Sequence, residues 1–201
     1  ERHVYAELVR TMLENGGEQP SLLIFGTGKG IGHGQFVPTD RKLRRGDLVV
    51  NEIEARYAGY SAQCVAPISV GKPTKEDGDM LGVATTCFEN VREQMRAGST
   101  LGGLMDVYTK TVEREGKGRY KWAHPMMHAR GLGDESPALL GDADVERFRR
   151  IELQPGMTFI LKPRVRSAKN GLSAQIGDTV LVTAKGGERL GRRKMALWIV
   201  S

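Results

Sequence analysis

The sequence predicts an α+β fold on a mainly antiparallel sheet, and three observations carry that expectation. Helix-like and strand-like segments come in blocks, in the order helix, strand hairpin, two long helices, then strands. Residues 48–71 hold strand-like runs on either side of "YAGY", the turn of a hairpin. The last third, from "GMTFILKPRV" through "LSAQIGDTVLVT" to "MALWIV", reads as three closing strands.

The elements follow in order. In "RHVYAELVRTMLENGG", Val4, Leu8, Met12 and Leu13 share one helical face, and Gly16 supplies a left-handed terminal cap. "SLLIFGTG" is a short apolar run ending in glycines, which suits a buried strand. Leu48, Val50 and Ile53 sit beside polar neighbours in strand-like spacing. Residues 75–97 return to a helical period, burying Met80, Val83, Ala84, Cys87, Phe88, Val91 and Met95, with Gly98 as the stop. "STLGGLMDVYTKTVEREG" opens on a Ser/Thr cap signal and runs as a second helix to Gly116. "DADVERFRR" makes a short helical turn.

Composition narrows the class. The 201 residues suit a single domain with a sizeable core, and 39% apolar with 27% charged residues is ordinary for a globular chain. No apolar run reaches the roughly 18 residues that a membrane span needs, so no membrane partner is expected. Cys64 and Cys87 are too few for a disulfide framework and are read as buried free thiols in a reducing cytoplasm. The net charge of +6 comes from basic residues at turns, as in "RKLRRGD" and "GGERLGRRK", without a basic helix or a stacking motif. Nucleic acid is therefore not an expected partner. The chain opens on Glu1 inside a helical pattern, which reads as a piece of a longer polypeptide.

One stretch concentrates chemistry: "HPMMHARGLGDESP", residues 124–137, with His124 and His128 four apart. On a helix that spacing offers two nitrogens to one metal, but Pro125 and the glycines oppose a helix here. "GTGKGIGHG" lacks the Gly-Lys-Ser/Thr ending of a phosphate loop and opens no helix.

Five stretches in order resemble landmarks of the creatinase, aminopeptidase P and methionine aminopeptidase superfamily. These are "GHGQFVPTDRKLRRGDLV", "ARYAGYSAQCVAPISVG", "MHARGLGDESP", "LQPGMTFILKP" and "AQIGDTVLVTAKGGERL". The resemblance implies that superfamily's pita-bread fold, a curved, mainly antiparallel sheet covered by helices. It also implies that residues 1–201 form one such domain, lacking its first helix and any N-terminal domain. Peptidases of the family hold two divalent ions with two Asp, one His and two Glu. Carried over by position, those ligands fall on Glu52, Gln63, His128, Lys162 and Gly177. A gapped register brings in Glu54 or Asp178 without restoring the set. At an effective dielectric of about 20, an ammonium contacting a cation at about 4 Å costs roughly 4 kcal/mol per unit charge product. The resemblance thus implies a member without the dinuclear centre: no metal and no other cofactor is expected.

Creatinase shows that this fold can work on a C–N bond with protein acid/base groups alone, and His33 falls on its catalytic histidine. A histidine exchanges protons near neutrality, so His33 is the expected proton shuttle, against a loop-packing role. His128, Glu52 and Glu135 are the other catalytic candidates, as acid/base or orienting groups. Glu52 and Glu54 share a strand face, which points either into the pocket or to solvent. The pair Asp134 and Glu135 is as readily structural as catalytic. Gln63, Lys162 and Arg164 are the substrate-binding candidates. Lys162, Arg164 and Arg166 follow on one strand with period two, so they project to one face. Lys162 then either binds a substrate carboxylate or oxyanion, or pairs with Glu52 and fills the void.

Two expectations result. The first is a metal-independent, Xaa-Pro aminopeptidase- and creatinase-like hydrolase, acting on an amide-type C–N bond of a small carboxylate-bearing molecule or short peptide. The second is a non-catalytic pseudo-peptidase serving as a binding module. A weak aminopeptidase is a third possibility, and the lost ligands oppose it. A homodimer and a cytoplasmic location are expected with either of the first two.

Overall fold

The computed structural model describes residues 1–20, 23–28, 37–132 and 134–201, without the side chains of Asp134 and Glu135. His33 therefore lies outside the described residues. The chain opens with helix α1 (Arg2–Glu14) and strand β1 (Ile24–Gly28). The hairpin of β2 (Leu48–Tyr57) and β3 (Tyr60–Val65) turns on Ala58 and Gly59, at φ 49° and 79°. Two left-handed residues are what a tight two-residue turn between twisted strands requires, and "YAGY" supplies them at little cost on the glycine. Strand β4 (Ile68–Val70) follows.

The two long helices start where their caps dictate. In α2 (Lys75–Gln94), the Thr74 hydroxyl accepts the Asp77 N–H at 3.1 Å, while the Asp77 carboxylate accepts the Thr74 N–H at 3.0 Å. In α3 (Leu101–Gly116), the Thr100 hydroxyl accepts the Gly103 N–H at 3.1 Å. All seven residues expected on the buried face of α2 and its exit are at most 7% exposed. Each large one contributes about 1.5–3 kcal/mol by leaving water.

The rest of the chain is β5 (Tyr120–Ala123), β6 (Met127–Arg130), β7 (Asp134–Leu139), helix α4 (Asp142–Phe148), β8 (Thr158–Leu161), β9 (Arg164–Ser167), β10 (Ser173–Gln175), β11 (Gly177–Val182), β12 (Gly187–Arg189) and β13 (Trp198–Val200). A large sheet has the order β13-β4-β2-β3-β11-β8-β6-β7, with β1 on β2 and β12 on β11. A second sheet of three strands has the order β10-β9-β5. The β13–β4 pair is parallel and the other pairings of named strands are antiparallel, so the α+β expectation holds.

Three expectations need correcting. "GMTFILKPRV" is not one strand, because Pro163 cannot donate to a ladder and the chain changes sheet there, β8 in the large one and β9 in the small one. Lys162, Arg164 and Arg166 therefore do not share a strand. "LSAQIGDTVLVT" splits in the same way, at Ile176. The apolar stripe of α1 is not buried either: Val4 is 39% and Leu13 46% exposed, with Leu8 and Met12 half-buried.

The two faces of the large sheet differ in kind. One row of opposed residues runs Ile53, Cys64, Asp178, Leu161, Met127, Leu139 across six strands. Leu161, Met127 and Leu139 on this face join Phe159, Val180 and Val182 in the core beneath α2 and α3. The neighbouring row points the other way by strand alternation and reads Glu54, Gln63, Thr179, Ile160, His128. That second face carries the candidate site.

Candidate functional site

Four strands place polar side chains side by side on this face. Glu52 and Glu54 come from β2, Gln63 from β3 and His128 from β6, while Lys162 stands just beyond the end of β8. All five are buried, so the solvent-facing reading of Glu52 and Glu54 is excluded. Lys162 is anchored by its N–H donating to the Met126 carbonyl at 2.7 Å.

Glu52 is the centre of a network. Its Oε2 accepts the Lys162 ammonium at 2.6 Å and the Gln63 amide at 3.2 Å, and its Oε1 accepts the Gln175 amide at 3.3 Å. The Glu52 and Lys162 side chains are 6% and 4% exposed. Burial pushes the Glu52 carboxyl upward, but the Lys162 charge and these hydrogen bonds outweigh it and hold the group below the usual carboxylate range. Glu52 is thus an ionised acceptor with three hydrogen bonds. A second buried ion pair joins Glu54 to the Arg130 guanidinium, with the Ser61 hydroxyl donating to Glu54 at 3.3 Å.

Gly177 lies close against the end of β8. A Cβ built on Gly177 would lie 2.6 Å from the Lys162 Cβ and 2.6 Å from the Leu161 carbonyl oxygen. With the backbone of Leu161 and Lys162 in this position, the strand opposite has room only for glycine.

His128 is 6% exposed, and its Nδ1 lies 3.0 Å from the Ala129 carbonyl oxygen. A carbonyl only accepts, so Nδ1 carries a proton and donates it to Ala129. His124 lies outside this cluster. Its Nε2 is 3.0 Å from Asp142 Oδ1 and its ring stands edge-on to Trp122 at 5.1 Å, so the two histidines do not pair. Among the described residues, no group of three or more His, Cys, Asp or Glu side chains is placed to hold a metal ion.

Arg164 opens the second sheet beside this network. Its Nε and Nη2 both donate to Gln175 Oε1, the former at 3.0 Å, so Gln175 bridges Glu52 and Arg164. The Arg164 backbone is pinned from the helix layer: its N–H donates to the Tyr108 hydroxyl at 3.1 Å, as the Ala123 N–H does at 3.2 Å. Burial lowers the Arg164 guanidinium to a pKa of about 10, against the raising effect of the Glu52 charge. Arg166, two residues on, is exposed. Glu135 lies in β7, whose backbone pairs with β6.

Gln175, Arg130 and Tyr108 were not singled out by the sequence. Arg130 carries a usable signal, since it follows His128 by two on one strand, and Gln175 carries none, because the chain leaves one sheet for the other between it and Gly177. Tyr108 carries none, because its hydroxyl meets the sheet only after α3 docks. Cys87 is buried as expected and Cys64 is half-buried; both are free thiols.

The sequence profile of metallopeptidase family M24 matches residues 1–184. The Xaa-Pro dipeptidase of Pyrococcus furiosus is 28% identical over 201 residues, covering 98% of this chain and 55% of its own length. Among solved structures, the prolidase of the same organism superposes with a TM-score of 0.81 at 27% identity, over 96% of this chain and 56% of its own. The X-Pro aminopeptidase of Thermotoga maritima gives 0.84 at 24% identity over 99% and 54%, a likeness of fold. The chain spans about half the length of the curated relatives it matches. Among the described residues, no helix is long and apolar enough to cross a membrane.

Proposed function

The chain belongs to metallopeptidase family M24, and from that premise we propose that it is a hydrolase-type pita-bread domain whose site works without a dinuclear metal centre. Its substrate is a short peptide or other small carboxylate-bearing molecule, cleaved at an amide-type C–N bond. The matched Xaa-Pro dipeptidase supports that substrate class by its name.

The observation that carries the reading is the Lys162 ammonium seated 2.6 Å from the Glu52 carboxylate. In the positional carry-over, those residues stand for two of the carboxylate ligands of a metal pair. Here one carboxylate already has a monocation bound to it, and it also accepts the amides of Gln63 and Gln175. The donor set suits an ammonium and does not suit a pair of divalent cations, which requires several shared carboxylates. No step is therefore routed through a metal.

What remains is acid/base chemistry. Glu52 serves as a counter-ion that fixes Lys162 and Gln63, because a carboxylate held ionised by a bound ammonium carries no proton to donate at neutral pH. His128 and His33 are the proton-handling candidates. Glu135 keeps its place as an acid/base candidate beside them. Gln63 is within the network, and among the described residues its Oε1 is buried without a hydrogen-bond partner, a position from which it can receive a substrate N–H.

The buried ion pair also favours the second reading, a binding module, because it fills the centre without presenting a nucleophile. The test is hydrolysis of an Xaa-Pro dipeptide panel by chelator-treated protein, with metal content measured in parallel. The expected result is turnover with no stoichiometric divalent metal and no gain on adding manganese or cobalt, together with its loss in His128→Gln. Turnover that appears only with two bound metals would overturn the proposal. Peptide binding without turnover would leave the binding module in its place.

A further inference from the structure

Among the described residues, the buried charges around the network do not cancel. Glu52 is matched by Lys162 and Glu54 by Arg130, each pair buried in the sheet. Arg164 is 4% exposed, and among the described residues no carboxylate forms an ion pair with it. Its side-chain hydrogen bonds go to the neutral amide of Gln175, and among the described residues its Nη1 is buried without a partner. A buried cation left in this state is costly, and it is retained only where something compensates it.

The surroundings say what does. Arg164 stands between a small cavity of about 40 Å³ and an open pocket of about 390 Å³, a size that suits a small molecule. The pocket wall carries Trp122, His124, Arg166 and Ser173, with Asp142 on it as well. Arg166 and Ser173 are directly opposed across the β9–β10 ladder, one strand step from Arg164 and Gln175. A second cation and a hydroxyl therefore lie on the same strand face as the buried guanidinium.

We propose that this pocket binds a small monocarboxylate, with Arg164 as its anchoring cation and Arg166 and Ser173 as accessory contacts. The inference rests on the reading of the chain as acting on a carboxylate-bearing molecule and moves the anion contact from Lys162 to Arg164. Lys162 is in direct contact with Glu52, whereas an incoming carboxylate supplies the direct ion-pair partner and the Nη1 acceptor that Arg164 lacks among the described residues. Single negative charge follows from the neighbours: Glu52 acts on Arg164 from behind Gln175, and Asp142 lines the same pocket, so both repel a dianion. Trp122 offers an apolar wall for the remainder of the ligand.

Binding is measured by titration calorimetry without reference to turnover, so that failure of this inference is distinguishable from failure of the hydrolase reading. The probes are N-acetyl-L-proline, its methyl ester and inorganic phosphate. The acid is expected to bind at least about tenfold tighter than the ester and than phosphate, the ratio a charged hydrogen bond supports. Arg164→Gln should lose that same factor of about ten or more, and Arg166→Gln about two- to threefold, in keeping with a solvent-screened charge. Ser173→Glu, which puts a carboxylate in the pocket, should abolish acid binding and decides the matter if Arg164→Gln does not fold. Equal affinity for acid and ester, tighter binding of phosphate, no binding of the acid at millimolar concentration, or full affinity in a folded Arg164→Gln or Ser173→Glu protein would each overturn the proposal.

Discussion

Leu161 and Lys162 are neighbours in the chain and stand on opposite faces of one sheet. Leu161 lies wholly inside the apolar core under α2 and α3, and Lys162 lies almost as deeply among charged groups. The comparison shows that equal burial can rest on different physics. On the helix side, each residue contributes by leaving water and fits many alternative neighbours of similar volume. On the polar side, burial is tolerable only because each charge has its partner, so residues there stand or fall in groups.

The sharpest way to break this comparison is Lys162→Met. It leaves Glu52 buried without its cation and should cost about 3–5 kcal/mol in urea unfolding. Adding Glu52→Gln removes the orphaned charge and should restore most of that loss. If the double variant is as unstable as the single one, the pair is not the coupled unit described here. Leu161→Ala should cost about 2–5 kcal/mol through lost transfer energy and a cavity, and Glu52→Gln should leave that figure unchanged because the two sites lie on different faces.

A smaller effect sharpens the comparison through pH. The Glu52 carboxyl is held below its ordinary value, so its stabilising contribution is present above the normal carboxylate range. It is lost as the pH falls through the depressed folded value. Asp178, on the opposite face, has the other sign. Burial raises it against Arg193, the Thr179 N–H and Arg189, so its contribution is present at acid pH and is lost as pH rises through the raised folded value. The double variant carrying Glu52→Gln and Lys162→Met should therefore flatten the acid limb of the stability curve, while Asp178→Asn should raise stability near neutrality. Unfolding midpoints recorded between acid and neutral pH check both slopes.

Much of the fold was legible because it follows local rules. The two long helices announce themselves through apolar residues at helical period and Thr74 and Thr100 caps, and the hairpin through Ala58-Gly59. The closing strands are legible only coarsely. Apolar continuity runs across Pro163 and Ile176, where the chain in fact leaves one sheet for the other. The stripe on α1 is a true period without a core to meet it. At the site, the residues alone leave the alternatives for Lys162 open.

The sequence by itself determined the α+β class, the buried face of α2 and the residue types at the family's ligand positions, since these are matters of period, turn chemistry and order along the chain. Only the tertiary structure decided that Lys162 closes on Glu52, that Gly177 packs against the backbone beside it, and that among the described residues Arg164 has no direct ion-pair partner. Glu52 and Lys162 are 110 residues apart, and whether such charges cancel depends on distances across four strands. No local pattern encodes that.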